Sequence, residues 1–184
     1  MIFEIRLHGI GGQGVAASAD LLAFAAVQGG MWAHSFPFFG TEIRGGNVTA
    51  FTRISPDPIR DRSFIYSPHL IVIFSTHLLS EDTWKGAREE SVILVNTSRS
   101  IEELPTPPKG RLIVLDADRI ADELPGCRMG NSVLLGAMLT FIPAMQLGSL
   151  ESAFLEKFSS ETAQGNITGA REGYQRLKAI EKVV

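Results

Sequence analysis

The sequence has a single cysteine, Cys127. It cannot close an internal disulfide, and it cannot hold an iron–sulfur cluster, which takes about four ligands. We expect it to be inert. The four histidines, His8, His34, His69 and His77, include no i, i+4 pair, and neither Cys-x-x-Cys nor His-Glu-x-x-His occurs. A protein-held metal is therefore not expected. No Gly-x-Ser-x-Gly motif signals a hydrolase elbow. Lysine and arginine never form a block and the net charge is −3, which argues against nucleic-acid binding. The first residues, MIFEIRL, go straight into a strand pattern, without the basic and apolar regions of a secretory signal. No apolar stretch approaches the roughly 20 residues that span a bilayer. These absences point to a cytoplasmic protein without a membrane partner.

What is present suits an α/β core. The chain has 184 residues, 45% of them hydrophobic, enough for one such domain over residues 1–184. Residues 2–8 alternate, with Phe3, Ile5 and Leu7 on one side and Glu4, Arg6 and His8 on the other. The run VAASADLLAFAAVQ (15–28) reads as a buried helix that Gly29-Gly30 ends, with Val15, Ala19, Leu22 and Ala26 on one face. A short strand is expected at 31–35. Residues 35–46 read as a long loop. Residues 47–54 suit a strand, turned by Ser-Pro-Asp-Pro and paired as a hairpin with a second strand around 59–66. The runs at 70–74, 91–95 and 111–115 read as strands buried on both faces, with helices at 80–89 and 117–124. The proline-rich stretch 99–110 is a loop. Further helices are expected at 131–145, 149–158 and 163–182, with Ser149 and Ser152 as capping residues. The alternation predicts a three-layer α/β/α fold with a mostly parallel, mixed sheet, a Rossmann-like first strand–loop–helix unit and a helical C-terminus.

Gly9, Gly11 and Gly14 fit Gly-x-Gly-x-x-Gly between that first strand and helix. Together with Gly12 and Gln13 they form a candidate phosphate loop, because such glycines let backbone amides approach a phosphate at the positive end of a helix. The same glycines also suit a tight turn with no ligand. A dinucleotide site wants an acid about 20 residues further on, and residues 29–36, GGMWAHSF, contain none. Gln13 can offer its amide to a phosphate or a partner, or can cap the helix start.

Three stretches in series carry more than the loop does. They are GIGGQGV (9–15), SFPFFGTEIRGGNV (35–48) and FTRISPDPIRDRSFI (51–65). This order resembles the γ subunit, or γ domain, of the 2-oxoacid:ferredoxin oxidoreductases, whose members act on pyruvate, 2-oxoisovalerate, 2-oxoglutarate or indolepyruvate. Asn131, followed by VLLGA (133–137), is similar to the family's helix after the last core strand. The resemblance covers most of the chain and fades after about residue 150. It implies an α/β layer fold working beside α, β and ferredoxin-like subunits. Thiamine diphosphate and iron–sulfur clusters would sit in those partners, coenzyme A would be a co-substrate and ferredoxin the acceptor. The resemblance also implies no catalytic residue and no cofactor held by this chain alone. Two other readings stay open. One is a stand-alone nucleotide- or coenzyme-A-binding protein, and the other a purely structural scaffold subunit.

Within 35–46, the aromatic residues Phe36, Phe38 and Phe39 suit either a core or interface anchors. Glu42 and Arg44, before Gly45-Gly46, suit an ion pair that pins a loop or a contact to a neighbouring subunit. Ser35, Phe36, Phe38, Phe39, Glu42, Arg44, Gly45 and Gly46 are thus the expected subunit interface, through which the isolated chain can self-associate. Asn131 is expected to bond backbone at a buried helix start. The strip Glu4, Arg6, His8 is odd for a central strand, and predicts either an edge position or cover by a partner.

Overall fold

The computed structural model describes residues 1–40 and 46–181. Among these residues six strands form one sheet: β1 (Phe3–Ile10), β2 (Trp32–Phe39), β3 (Asn47–Ser55), β4 (Leu70–Ile73), β5 (Val92–Asn96) and β6 (Arg111–Leu115), in the order β2-β3-β1-β4-β5-β6. β1, β4, β5 and β6 run parallel, while β3 joins both β1 and β2 antiparallel. The expected mixed sheet is therefore present, and β1 is its hinge between parallel and antiparallel halves. The first unit is Rossmann-like only as far as α1 (Val15–Gln28), because the chain then returns through the antiparallel β2.

The sheet's two faces are covered unequally. Against one lie α1, α3 (Ala117–Glu123), α4 (Gly130–Met138), α5 (Leu147–Lys157) and α6 (Ser160–Glu181), in a core that includes Ile5, Leu7, Leu22, Val72, Leu94 and Leu134. The other face buries Ile71, Ile73, Ile93 and Val95 under Trp84 and Leu104. Its layer is thin, made of α2 (Glu81–Trp84) and two 3-10 turns, Thr76–Leu78 and Ile101–Glu103. Both faces of β4 are fully apolar, which is why its sequence is a continuous β-branched run.

Five expectations need correction. First, residues 35–39 are not loop but the second half of β2, pairing Phe36 with Phe51 and Phe38 with Thr49. Pro37, which hides the strand in the sequence, is tolerated because β2 is an edge strand. Second, β3 therefore makes its hairpin with β2 and not with 59–66, which has no strand. Pro56 and Pro58 lack N–H donors, and the carbonyls of Ser63 and Ile65 accept from the side chains of Arg53 and Arg6 instead. Third, the helix at 80–89 is only α2. Gly86, at φ 83°, stops it, and a Cβ there would overlap the Tyr66 carbonyl oxygen.

The fourth correction concerns the helix at 131–145, which is α4 and stops at Met138. Pro143 cannot donate to a fourth-preceding carbonyl and disfavours helix before it. Fifth, Ser149 and Ser152 lie inside α5, whose N-cap is Gln146, and Ser152 Oγ donates to the Gly148 carbonyl at 3.0 Å.

The polar strip of β1 has a third solution that neither expectation named. β1 is central, and its polar face is covered by the same chain. Arg6 Nη2 donates to the carbonyls of Thr83 (2.9 Å) and Lys85 (2.8 Å) and Nη1 to that of Ile65 (3.3 Å), while Nε donates to His8 Nε2 (2.9 Å). Glu4 accepts from Arg53 Nε at 3.0 Å and pairs with Arg88 at 3.4 Å. Two arginines thus staple residues 63–65 and 83–85 to the sheet.

Candidate functional site

The carboxyl ends of β1 and β4 form the topological switch point. The chain leaves β1 toward the helical face, and leaves β4 toward the thin face. Ligands of open α/β sheets bind in such crevices. The glycine turn lies at this place, and its conformation is explained largely from within. Gly12 and Gly14 have φ of 98° and 77°, which favours glycine. A Cβ on Gly9 would overlap Val15, and one on Gly14 would overlap the Asn131 side-chain amide. Gln13 caps the end of β1, its side-chain Oε1 accepting from the Ile10 N–H at 2.8 Å while its backbone N–H donates to the Ile10 carbonyl at 3.1 Å. The Gly11 N–H donates to the Gly46 carbonyl at 3.0 Å, tying the glycine turn to the start of β3.

What the turn leaves for a ligand is the start of α1. That helix has no side-chain cap and no acid in its first turn, so its positive dipole end is not neutralised locally. Gln13 and Asn131 there line a cleft of about 260 Å³ with Asn96, Asp118, Asp122 and Arg128. Asn96 is fixed, accepting from the Ala117 N–H at 2.9 Å and donating to Asp118 at 2.8 Å. Two carboxylates and one guanidinium make the cleft polar, with acids outnumbering the one cation. The expected backbone bond of the Asn131 side chain is not among the side-chain hydrogen bonds of the described residues; that side chain is the surface against which Gly14 packs.

The expected interface segment is divided by the pleat of β2. Phe36 and Phe38 point to the thin face beside Phe51 and Thr49, whereas Ser35, Pro37 and Phe39 pair with Thr52, Ala50 and Val48 on the helical side. Ser35 Oγ donates to Asp20 at 2.6 Å. Phe38 and Phe39 are 53% and 61% exposed. Gly46 is half-buried and engaged with Gly11. Glu42, Arg44 and Gly45 lie outside the described residues. Sequence reasoning gave no role to Phe64 and Tyr66, which stand beside Phe38 on the thin face. The alternation Phe64–Ile65–Tyr66, with only Ile65 buried, was the available signal.

Two histidines, one in β1 and one beside it, are pushed below their ordinary range. Burial, and then the neighbouring Arg6 charge, push His8 down to about 3, so its imidazole acts as a neutral acceptor for Arg6. Burial and the Arg88 charge lower His69, whose Nδ1 accepts the Glu4 N–H at 3.0 Å. Cys127 is buried, with Sγ 3.3 Å from Ser132 Oγ. Among the described residues no group of three or more histidine, cysteine or acidic side chains converges as a metal site. A lone buried thiol does not fit an iron–sulfur cluster.

The comparison with known proteins decides the family. Residues 4–176 match the family model described as pyruvate ferredoxin/flavodoxin oxidoreductase. The chain belongs to that family. It is 39% identical over 185 residues to the pyruvate/ketoisovalerate oxidoreductases common subunit gamma of Pyrococcus furiosus, covering 98% of this chain and 100% of that one. It therefore corresponds to a γ-type subunit over nearly all of these 184 residues. A crystal structure of the pyruvate oxidoreductase subunit PORC from Thermotoga maritima superposes with a TM-score of 0.82 at 30% identity, covering 95% of this chain and 96% of that one. The 2-oxoglutarate:ferredoxin oxidoreductase of Magnetococcus marinus, whose structure holds 2-oxoglutarate, coenzyme A and succinyl-CoA, contains the same fold. It matches at 21% identity and a TM-score of 0.81, over 97% of this chain and 31% of that one. Among the described residues no helix is long and apolar enough to cross a membrane.

Proposed function

We propose that this chain is the γ subunit of a cytoplasmic, multi-subunit 2-oxoacid:ferredoxin oxidoreductase, and acts as one γ-type domain. The whole enzyme takes a 2-oxoacid, coenzyme A and two oxidised ferredoxins to an acyl-CoA, CO2, a proton and two reduced ferredoxins. The observation that carries this reading is the end-to-end correspondence with a γ subunit, 98% of one chain against 100% of the other. Thiamine diphosphate and the iron–sulfur clusters belong to the α, β and ferredoxin-like partners. This chain's donor set supports that division, since it has one cysteine.

Its own contribution is to hold partners together and to shape the ground around the coenzyme. The turn Gly9, Gly11, Gly12, Gln13, Gly14 is the place it offers to a phosphate group such as those of coenzyme A. The uncapped start of α1 and the nearby Arg128 support this. The segment Ser35–Gly46 is the proposed subunit contact, supported by the exposure of Phe38 and Phe39. In the isolated chain the same apolar surface drives self-association. The reading of a scaffold with no ligand draws on a different observation, that internal contacts alone account for Gly9, Gly14 and Gln13.

The experiment is purification through a tag on this chain from cells that express the partner subunits. We expect a complex carrying thiamine diphosphate and iron–sulfur clusters, with coenzyme-A-dependent reduction of ferredoxin by a 2-oxoacid. Recovery of the chain alone, with turnover intact in the untagged fraction depleted of it, contradicts the proposal.

A further inference from the structure

The exposed aromatic residues of β2 belong to a larger cluster. Phe36 stacks on Phe51 with ring centroids 5.0 Å apart, Phe51 lies 5.2 Å from Phe64, Phe38 meets Phe64 edge-on at 5.4 Å, and Phe64 meets Tyr66 at 6.4 Å. The rings come from three separate stretches of chain. Phe51 is buried, while Phe38, Phe64 and Tyr66 are 53%, 41% and 71% exposed. Large rings gathered at one exposed place, over the buried Phe51, are the usual chemistry of a protein contact.

Beside these rings opens a cavity of about 220 Å³ that Arg6 and His8 also line. Arg6 is 7% exposed. Four of its five N–H groups have partners, three carbonyls and the His8 imidazole, all neutral acceptors. Among the described residues no carboxylate lies within ion-pair distance of it. A buried guanidinium with only neutral acceptors keeps an uncompensated charge, which favours a docked anion. The one acid lining the cavity is the exposed Asp82. A second copy could offer Arg6 only the Asp82 of its own cavity and would bring a second Arg6 with it, so the charge pattern favours a chain of different sequence over the self-association open to the isolated chain.

We propose that this face docks a segment of another subunit of the oxidoreductase in which an acidic side chain stands beside an apolar one. The apolar group packs on Phe38, Phe64 and Tyr66, and the carboxylate is drawn to Arg6. This deepens, and rests on, the reading of Ser35–Gly46 as a subunit contact. It adds Phe64, Tyr66 and Arg6 and assigns the partner's chemistry.

The test measures binding of this chain to the purified complex of its partner subunits, with the melting temperature of each variant followed in parallel. Tyr66→Ala and Phe64→Ala each weaken binding by at least about tenfold, and Tyr66→Ala does so without a change in melting. Asp82→Asn tightens binding at low salt, and the gain shrinks as salt rises, because it removes a like charge facing the docked acid. If Asp82→Asn weakens binding instead, the docked segment is not acidic and the proposal fails. If Phe39→Ala weakens binding while Tyr66→Ala and Phe64→Ala do not, the contact runs along the other side of β2. The Ser35–Gly46 reading then stands and this proposal falls. If no variant weakens binding, both fall.

Discussion

The side-chain amide of Asn131, at the start of α4, rests directly on Gly14, the N-cap of α1, leaving no room for a Cβ there. Gly14 is thus constrained twice, by its neighbour and by its φ of 77°. Gly12, at φ 98°, has open space around it. Gly12→Ala should cost only backbone strain, about 1 kcal/mol or somewhat more. Gly14→Ala should cost more, and Asn131→Ala should return part of the difference. Denaturant melts of the two single variants and of the Gly14→Ala/Asn131→Ala double variant measure the coupling, expected at about 1 kcal/mol. Equal costs at Gly12 and Gly14, with strict additivity, would show that the contact is unimportant.

Arg53 and Arg88 both reach Glu4, but from different environments. Arg53 is 2% exposed and also donates to the Ser63 carbonyl at 2.7 Å, whereas the side chain of Arg88 is 31% exposed. Arg53→Met should destabilise by about 3 kcal/mol, since it removes the closer and more buried of Glu4's two arginine partners and frees the Ser63 and Phe64 carbonyls. Arg88→Met should cost about 1 kcal/mol or less. Urea unfolding of both variants checks the order, and a larger loss at Arg88 would refute it.

Acid should weaken the fold through His8. Its folded value is pushed down to about 3 by burial and then by Arg6, from an ordinary 6.5. Between those values the unfolded chain binds a proton that the folded chain refuses. Stability is therefore complete above about pH 6.5 and falls progressively toward pH 3. His8→Gln should flatten this part of the profile, which thermal melts between pH 7 and pH 4 will show. An unchanged slope would mean that the imidazole does not resist protonation.

Much of the fold was legible because burial leaves a local imprint. β4, β5 and β6 are apolar on both faces, and α1 carries small apolar residues over most of its surface between two glycine groups, so their limits follow from the chain itself. The misses share another cause, structure specified from a distance. The second half of β2 is hidden by Pro37 and becomes a strand only because β3 pairs with it. Residues 59–66 look like a strand, yet their carbonyls serve two arginines of β1 and β3. Nothing local to Glu4, Arg6 and His8 announces that residues 63–69 and 83–88 will cover them. At the candidate site the glycines were legible as a turn before a helix. That Gln13 caps β1, and that Asn131 fills the space over Gly14, depends on contacts no linear pattern records. The aromatic face was half visible, through Phe36 and Phe38, and its other half arrives from Phe64 and Tyr66.

As the γ subunit of a 2-oxoacid oxidoreductase, this chain is needed for turnover. The most direct measurement is the rate of coenzyme-A-dependent ferredoxin reduction by the purified partner subunits, with and without this chain. Little turnover is expected from either part alone, and full activity at one equivalent of this chain per set of partners. The restored rate should fall with Tyr66→Ala when the variant is supplied at limiting concentration. Full turnover by the partner subunits in its absence would show that this chain is not a working subunit of the oxidoreductase.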